Sequence, residues 1–264
     1  MMLFPCLWPR RWLFSQKGHL RPSQEVIREA VSIFTSWTGE EMREGECLYR
    51  ATPGAAEDLA GLRVINLDSP ALNENPFPIE IAFERRRRED CQCGKGAVYA
   101  GIHLAALLGK GLSARRVLWG DKPLFITRDY IATFDRDDLR WHLRYGVFSF
   151  PVLISLPGII EAPARPREYY LLRSQGIPDA MMPDSLRDRY LTVNDPRLPR
   201  VLAGILLQAF FYYQSGDPFC PDPFCSLYHA HWQEELLRSQ RDEPYIVCLR
   251  HRQALEKEER WLRG

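Results

Sequence analysis

The chain has 264 residues, with 35 Lys and Arg against 34 Asp and Glu, so its formal net charge is +1. This balance excludes a whole-protein electrostatic attraction to nucleic acid or to an anionic membrane. Hydrophobic residues make up 45% and charged residues 26% of the chain, which excludes disorder as the main state, and the lack of any run of about 20 apolar residues excludes a membrane-spanning helix.

The first three-quarters of the chain, residues 1–197, have the pattern of a sheet with few helices. An apolar stripe at helical spacing, preceded by Ser23 and followed by Gly39, predicts a helix over 22–39. Short apolar runs predict strands, and a longer apolar run predicts a buried helix. The predicted strands cover 62–67, 79–83, 124–127 and 147–155, and the buried helix covers 96–108.

The last quarter of the chain, residues 198–264, is predominantly helical. The segment over 159–170, which precedes it, is predicted to be a proline-bearing connector, because the residue before a proline is disfavoured in a helix. The predicted helices that follow cover 200–213, 227–241 and 247–263. Strands followed by helices predict an α+β fold. We expect a single domain over 1–264, with a helical part over 198–264.

Cysteine usage and the N-terminal sequence bear on the cellular compartment. The pair Arg10-Arg11 follows the first apolar stretch, an order that does not fit an export signal. Seven cysteines, an odd number, do not suggest a disulfide framework. We therefore expect a cytoplasmic protein, in which clustered cysteines favour metal binding over disulfides.

Four potential metal ligands form two close pairs near the C-terminus. Cys220 and Cys225 are joined by a short segment that contains two prolines. Cys248 and His251 are three residues apart on a predicted helix, so they share one face. Two such pairs are typical of a tetrahedral structural zinc site, and we predict one Zn²⁺ bound by all four. The alternative is that the first two cysteines are small buried apolar residues and His251 lies on the surface.

These residues resemble the tail of the archaemetzincin signature, which belongs to a family of zinc metallopeptidases. Gly216, Cys220 and Cys225 match that signature in spacing. Cys248 matches after a slightly longer gap, and His251 stands where the family has a cysteine. The resemblance implies a metzincin-like fold, with a mixed twisted sheet and a C-terminal helical part clamped by a structural zinc.

The catalytic half of the signature does not match. The positions of the three zinc-binding histidines and of the general-base glutamate are occupied by apolar or aromatic residues, namely Ala209, Phe210, Tyr213 and Phe219. Phe210 takes the position of the base, and Leu227 stands where a methionine is usual. The resemblance therefore implies a relative that keeps the structural zinc and lacks the usual catalytic one.

A closer resemblance is to a group of uncharacterised archaeal proteins classed as metallopeptidases. It rests on four stretches, at 159–170, 195–197, 207–212 and 225–235. Together with 125–155 they span most of the second half of the chain.

A second metal site is an alternative that the sequence leaves open. His142, Glu161, His231 and Glu235 form a histidine and carboxylate set of the kind that binds a metal and activates water. In the other interpretation, His231 and Glu235 are a surface pair one helical turn apart.

Three weaker motifs receive structural interpretations. Arg85 to Arg88 are expected in a solvated loop, Cys91 and Cys93 as two reduced thiols, and Asp135 to Asp138 in a polar turn. Three functions stay open: a non-catalytic relative of zinc peptidases, a metallohydrolase with a non-standard site, and a zinc-stabilised module that binds a peptide or protein.

Overall fold

The computed structural model describes residues 2–5, 23–44, 54–90, 97–114, 116–117, 119–240 and 246–262. These residues form two compact units: unit 1 lies within 1–18 and 43–161, and unit 2 within 19–42 and 162–264. The single domain over 1–264 stays a prediction. In the described part of the chain, none of the helices has both the length and the hydropathy that a bilayer crossing requires. Arg10, Cys91 and Cys93 lie outside the described residues.

The described strands all belong to unit 1 and form two small sheets. They are β1 (Met2–Pro5), β2 (Arg43–Glu44), β3 (Val98–Ala100), β4 (Pro123–Thr127), β5 (Tyr130–Asp135), β6 (Arg140–Arg144), β7 (Gly146–Val147) and β8 (Val152–Ser155). One sheet has the order β2-β1-β4-β8-β7 and the other β3-β5-β6. Neighbours are parallel except β7–β8 and β5–β6, which are antiparallel. The predicted mixed sheet is thus confirmed.

The helices divide between the two units. Unit 1 holds α2 (Ala55–Gly61), α3 (Pro78–Asp90), α4 (Gly101–Ala114) and α5 (Leu156–Glu161), and unit 2 holds α1 (Ser23–Thr38), α6 (Arg167–Ser174), α7 (Asp184–Arg187), α8 (Leu198–Ser215), α9 (Gln233–Ser239) and α10 (Leu249–Leu262). The α+β class is confirmed. Pro163 lies between α5 and α6, and the predicted connector narrows to 162–166 because helices occupy both of its ends.

The centre of the five-stranded sheet is formed by β4 and β8, which are buried along their whole length. A strand that is buried on both faces has a continuous run of apolar residues, and this pattern predicted strands in the regions of β4 and β8. Phe125 pairs with Leu153 in the parallel register. The prediction over 124–127 is confirmed, whereas the run over 147–155 is two strands, because a turn around Pro151 reverses the chain between β7 and β8.

Two predicted strands are wrong. In 62–67 the chain forms only an isolated bridge, between Arg63 and Tyr99. Residues 79–83 belong to α3, although their apolar residues alternate as in a strand. Pro78 is well suited to the first position of a helix, and the Glu80 carboxylate accepts the backbone N–H of Phe77 at 2.8 Å. These end effects favour the helix.

The buried helix predicted over 96–108 is displaced along the chain. Residues Val98–Ala100 are a strand, and α4 begins only at Gly101. A side chain at Gly101 would meet a Val147 methyl carbon at 2.9 Å, so this helix start packs closely on β7. The strand is short and followed at once by the helix, which made the two appear as one apolar segment.

The arginine run over 85–88 lies within α3, so the expected loop is wrong. Arg87 is 6% exposed and forms ion pairs with Glu84 and Asp129. The Tyr99 hydroxyl donates to Glu84 at 2.8 Å. Burial raises the pKa of Glu84, against the opposing charge of Arg87. A buried network of this kind fixes α3 against the start of β3 and the end of β4.

In unit 2, α8 packs against α1. The rings of Phe34 and Phe210 meet edge to face, with centroids 6.1 Å apart. Five of the α8 residues that face inward are each no more than 2% exposed, namely Leu202, Ile205, Leu206, Ala209 and Phe210. The helices predicted over 22–39, 200–213 and 247–263 are confirmed by α1, α8 and α10.

The helix predicted over 227–241 is too long, because α9 covers only Gln233–Ser239. The residues before it are held by distant backbone partners. Ser226 N–H donates to the Ile246 carbonyl at 2.9 Å, and Gln233 N–H donates to the Ala164 carbonyl at 2.8 Å. These bonds hold the segment out of a helix, and it becomes part of the site described next.

Candidate metal centre

The first pair of ligands lies in a loop that follows α8. Gly216, at φ 78°, adopts the left-handed conformation and ends the helix. The loop then closes on itself: Cys220 N–H donates to the Leu227 carbonyl at 2.8 Å, and Tyr228 N–H donates to the Cys225 carbonyl at 2.8 Å. These bonds fix the backbone on either side of both thiols, so the two sulfurs are presented together.

The second pair lies where the chain enters α10. Cys248 precedes the first residue of that helix and His251 follows one turn later. The hydrogen bond from Ser226 N–H to the Ile246 carbonyl joins this segment to the cysteine loop. The His251 ring packs edge to face on Phe211 of α8, with centroids 5.0 Å apart. Neither contact was predictable from the sequence, because both join residues far apart in the chain.

The four side chains converge as a Cys₃His cluster, formed by Cys220, Cys225, Cys248 and His251. Their ligand atoms all lie within 4.8 Å of one another. The Cys248 Sγ is 3.9 Å from the Cys220 Sγ and 3.1 Å from the His251 Nδ1. The Cys225 Sγ is 3.8 Å from the same nitrogen.

These separations can be compared with a tetrahedral zinc site. With zinc–sulfur bonds of about 2.3 Å and zinc–nitrogen bonds of about 2.0–2.1 Å, its sulfur–sulfur edges are about 3.8 Å and its sulfur–nitrogen edges about 3.5 Å. The separations in the Cys₃His cluster lie close to these edges. Thiolate and imidazole are also the ligands that zinc prefers, so the residues present fit this metal in both chemistry and size.

Burial controls the charge of the cluster. It raises the pKa of Cys225 to about 12 and also raises the pKa of Cys220. It lowers the pKa of His251, and the nearby Arg250 guanidinium lowers it further. Each shift favours the neutral form of its group. Thiolates at Cys220 and Cys225 therefore need a nearby cation, and a divalent metal would supply that charge.

A second group of potential ligands lies at the turn between β5 and β6. It consists of Asp135, Asp138 and His142, whose ligand atoms also lie within 4.8 Å of one another. The His142 Nε2 and Asp138 Oδ2 atoms are 2.7 Å apart, and Asp135 Oδ1 accepts the N–H of Asp137 at 2.9 Å. The expected polar turn is confirmed. Glu161 is not a member of this group.

Glu235 has a structural contact of its own. Its Oε2 atom accepts the backbone N–H groups of His231 at 2.9 Å and of Trp232 at 3.2 Å, which caps the start of α9. The expected side-chain pair is therefore a contact between the carboxylate and the backbone. The His231 ring lies against His229, with centroids 4.8 Å apart. A metal site formed by His142, Glu161, His231 and Glu235 stays a prediction.

The positions where catalytic ligands were expected are occupied by packed side chains. Ala209, Phe210 and Tyr213 on α8 are 0%, 2% and 6% exposed. The Phe210 ring contacts Phe211 as well as the core of unit 2. Phe219 stacks on the His229 ring, with centroids 4.1 Å apart. This face of α8 is buried core and does not line an open groove.

An α+β fold with a Cys₃His cluster defines a protein equipped to bind zinc. Comparison with known families agrees: the model of the "Probable metallopeptidase family (DUF6775)" matches residues 30–258, and the chain belongs to this family.

No curated protein matches the chain. Among solved structures, the chain is similar to a zinc-dependent peptidase from Methanocorpusculum labreanum (strain Z), at 13% identity and a TM-score of 0.46, over 96% of this chain and 98% of that one. At this TM-score the likeness is too distant to assign the fold.

Proposed function

We propose that this protein is an archaemetzincin-like member of its metallopeptidase family that keeps one structural zinc and has no catalytic zinc on α8. The observation that carries the proposal is the convergence of four ligand atoms within 4.8 Å of one another. The zinc joins the loop after α8 to the start of α10, and the stabilised protein binds a peptide or protein partner in a reducing cytoplasm.

The ligand number supports a structural rather than a catalytic role. A catalytic zinc has three protein ligands and an open position for water, whereas a structural zinc has four. All four positions of the Cys₃His cluster are filled by protein. A base must also take the proton of the zinc-bound water, and Phe210, at the position where the base was expected, has no group that accepts a proton.

The contacts of the residues suggested for a second metal site also support a non-catalytic protein. The Glu235 carboxylate is engaged in capping α9, and His142 is paired with Asp138. Each side chain already has a structural partner in its own unit. A hydrolytic site built from them would have to break these contacts before it could bind a metal.

Metal analysis and a cleavage assay test the proposal. We expect one zinc per chain and no chelator-sensitive cleavage of unfolded casein. His231→Ala and Glu235→Gln should leave the zinc content unchanged, and the glutamine keeps an oxygen that can cap α9. Two zinc ions per chain, with cleavage that His231→Ala abolishes while the cluster zinc is retained, would establish the altered enzyme instead.

A further inference from the structure

The three sulfurs of the Cys₃His cluster differ in their access to solvent. Cys225 is 0% exposed and Cys220 is 4% exposed. Cys248, at the entrance to α10, is partly exposed. A small oxidant in solution therefore meets Cys248 first, since susceptibility to oxidation follows thiolate character and exposure.

The partner that could complete an oxidation lies next to this sulfur. The Cys220 Sγ is 3.9 Å from the Cys248 Sγ. A disulfide bond is about 2.05 Å long, so its formation needs the two sulfurs to approach by about 2 Å. Cys248 sits at a helix end and Cys220 in a loop. Since Cys220 is held by its N–H bond to the Leu227 carbonyl, the approach has to come chiefly from Cys248, which precedes the first residue of α10.

We propose that Cys220 and Cys248 are a site of reversible oxidation by hydroperoxides, and that their disulfide replaces the zinc. This inference rests on the proposed function, because the metal must first be bound. It identifies Cys248 as the attacking residue and Cys220 as the resolving one. The disulfide would be specific to this pair, although Cys225 belongs to the same cluster.

The chemistry is a two-electron oxidation of the two sulfurs. The Cys248 thiolate attacks the peroxide, the O–O bond breaks, and a sulfenic acid forms, while the departing hydroxide or alkoxide takes a proton to become water or an alcohol. The Cys220 thiolate then attacks the sulfenic sulfur, the S–O bond breaks, and the departing hydroxide takes a proton to become water. In sum, two thiolates, one hydrogen peroxide and two protons give one disulfide and two waters.

Oxidation should have a different structural result from simple metal removal. The disulfide takes two of its four ligands from the zinc, so the ion is released. The covalent bond still joins the loop after α8 to the start of α10, because one cysteine comes from each segment. Cys225 is left as a free thiol. The oxidised protein should thus keep α10 in place, whereas a chelator should free it.

The test is to titrate the zinc-loaded, full-length protein with hydrogen peroxide. Released zinc is followed with a chromogenic chelator, and disulfides are mapped by mass spectrometry after alkylation. We expect two cluster thiols to be lost for each zinc released, a Cys220–Cys248 disulfide, and an alkylated Cys225. A thiol reductant with added zinc should reverse all three changes.

A second variant removes the reactive sulfur while keeping a zinc ligand. Cys248→His should bind zinc as Cys₂His₂ and lose the rapid release by peroxide. A disulfide that contains Cys225, irreversible sulfinic acid in place of a disulfide, or unchanged release from Cys248→His would each overturn the inference. Zinc-loaded protein that resists peroxide overturns this inference alone, whereas a protein without zinc at the cluster overturns the proposed function as well.

Discussion

Replacing Cys225 by serine tests the structural zinc most directly, because this sulfur is fully buried. Serine is close to cysteine in shape but is a poor zinc ligand. The substitution therefore removes one of the four bonds to the metal. It also places a hydroxyl group where the thiol had been.

The expected magnitude follows from these two losses. Apparent binding energies of structural zinc are about 10–16 kcal/mol, so one of four ligands accounts for about 3 kcal/mol, or about a hundredfold in affinity. An unsatisfied hydroxyl at a buried site costs about 1–3 kcal/mol more. The lost stability should appear chiefly in α10, whose start is held through the cluster.

The measurements are zinc content by mass spectrometry and amide hydrogen exchange. Cys225→Ser should hold zinc weakly, and its amides over 249–262 should exchange much faster than those of α8. Phe224→Ser, at the neighbouring residue, is the control, since Phe224 is 65% exposed and offers no zinc ligand, and it should keep full zinc content and slow exchange. Full zinc content with unchanged exchange in Cys225→Ser would refute the assignment of this ligand.

Two further predictions concern protons and buried charge. Zinc binding at pH 7 should release at least two protons, from the thiols of Cys220 and Cys225, whose pKa is raised, and none from His251, whose pKa is lowered. Calorimetry in buffers of different ionisation enthalpy measures the number of released protons. Fewer than two would contradict the prediction. Arg87→Met should lower the free energy of unfolding by about 3–5 kcal/mol, because Glu84 and Asp129 lose their buried counter-charge. Urea denaturation measures this free energy, and Arg86→Met, at an exposed position, is the control. Equal stability of the two variants would contradict the prediction.

The sequence predicted most reliably those elements whose local pattern agrees with their environment. The continuous apolar run of β4 and the apolar faces of α1 and α8 belong to this class, because burial on one face or on both leaves a periodic signal. The ligand pairs were also recognisable. A helical spacing of three residues and a short proline-containing loop each bring two ligands together without any distant partner.

The sequence failed where distant contacts decide the local structure. The strand-like alternation of 79–83 was overridden by the capping of α3, which depends on Glu80 meeting the backbone of Phe77. The segment before α9 was expected to be helical, but it is bound by Ile246 and Ala164. Neither partner is near in sequence, so no local pattern could have shown the contact.

Under the proposed function, the structural half and the catalytic half of the archaemetzincin signature would depend on different physical interactions, so that one half could be kept without the other. The α8 face that lacks the catalytic histidines is held by apolar packing, and Phe210 contributes to the core where a ligand would have to face an open site. The described side chains at the start of α10, over 249–256, are mostly exposed, and His251 is the buried one among them. Over these described residues, apolar packing therefore cannot hold α10 as it holds α8. A zinc bound through Cys248 and His251 would supply the missing attachment whether or not the protein retains any catalytic activity.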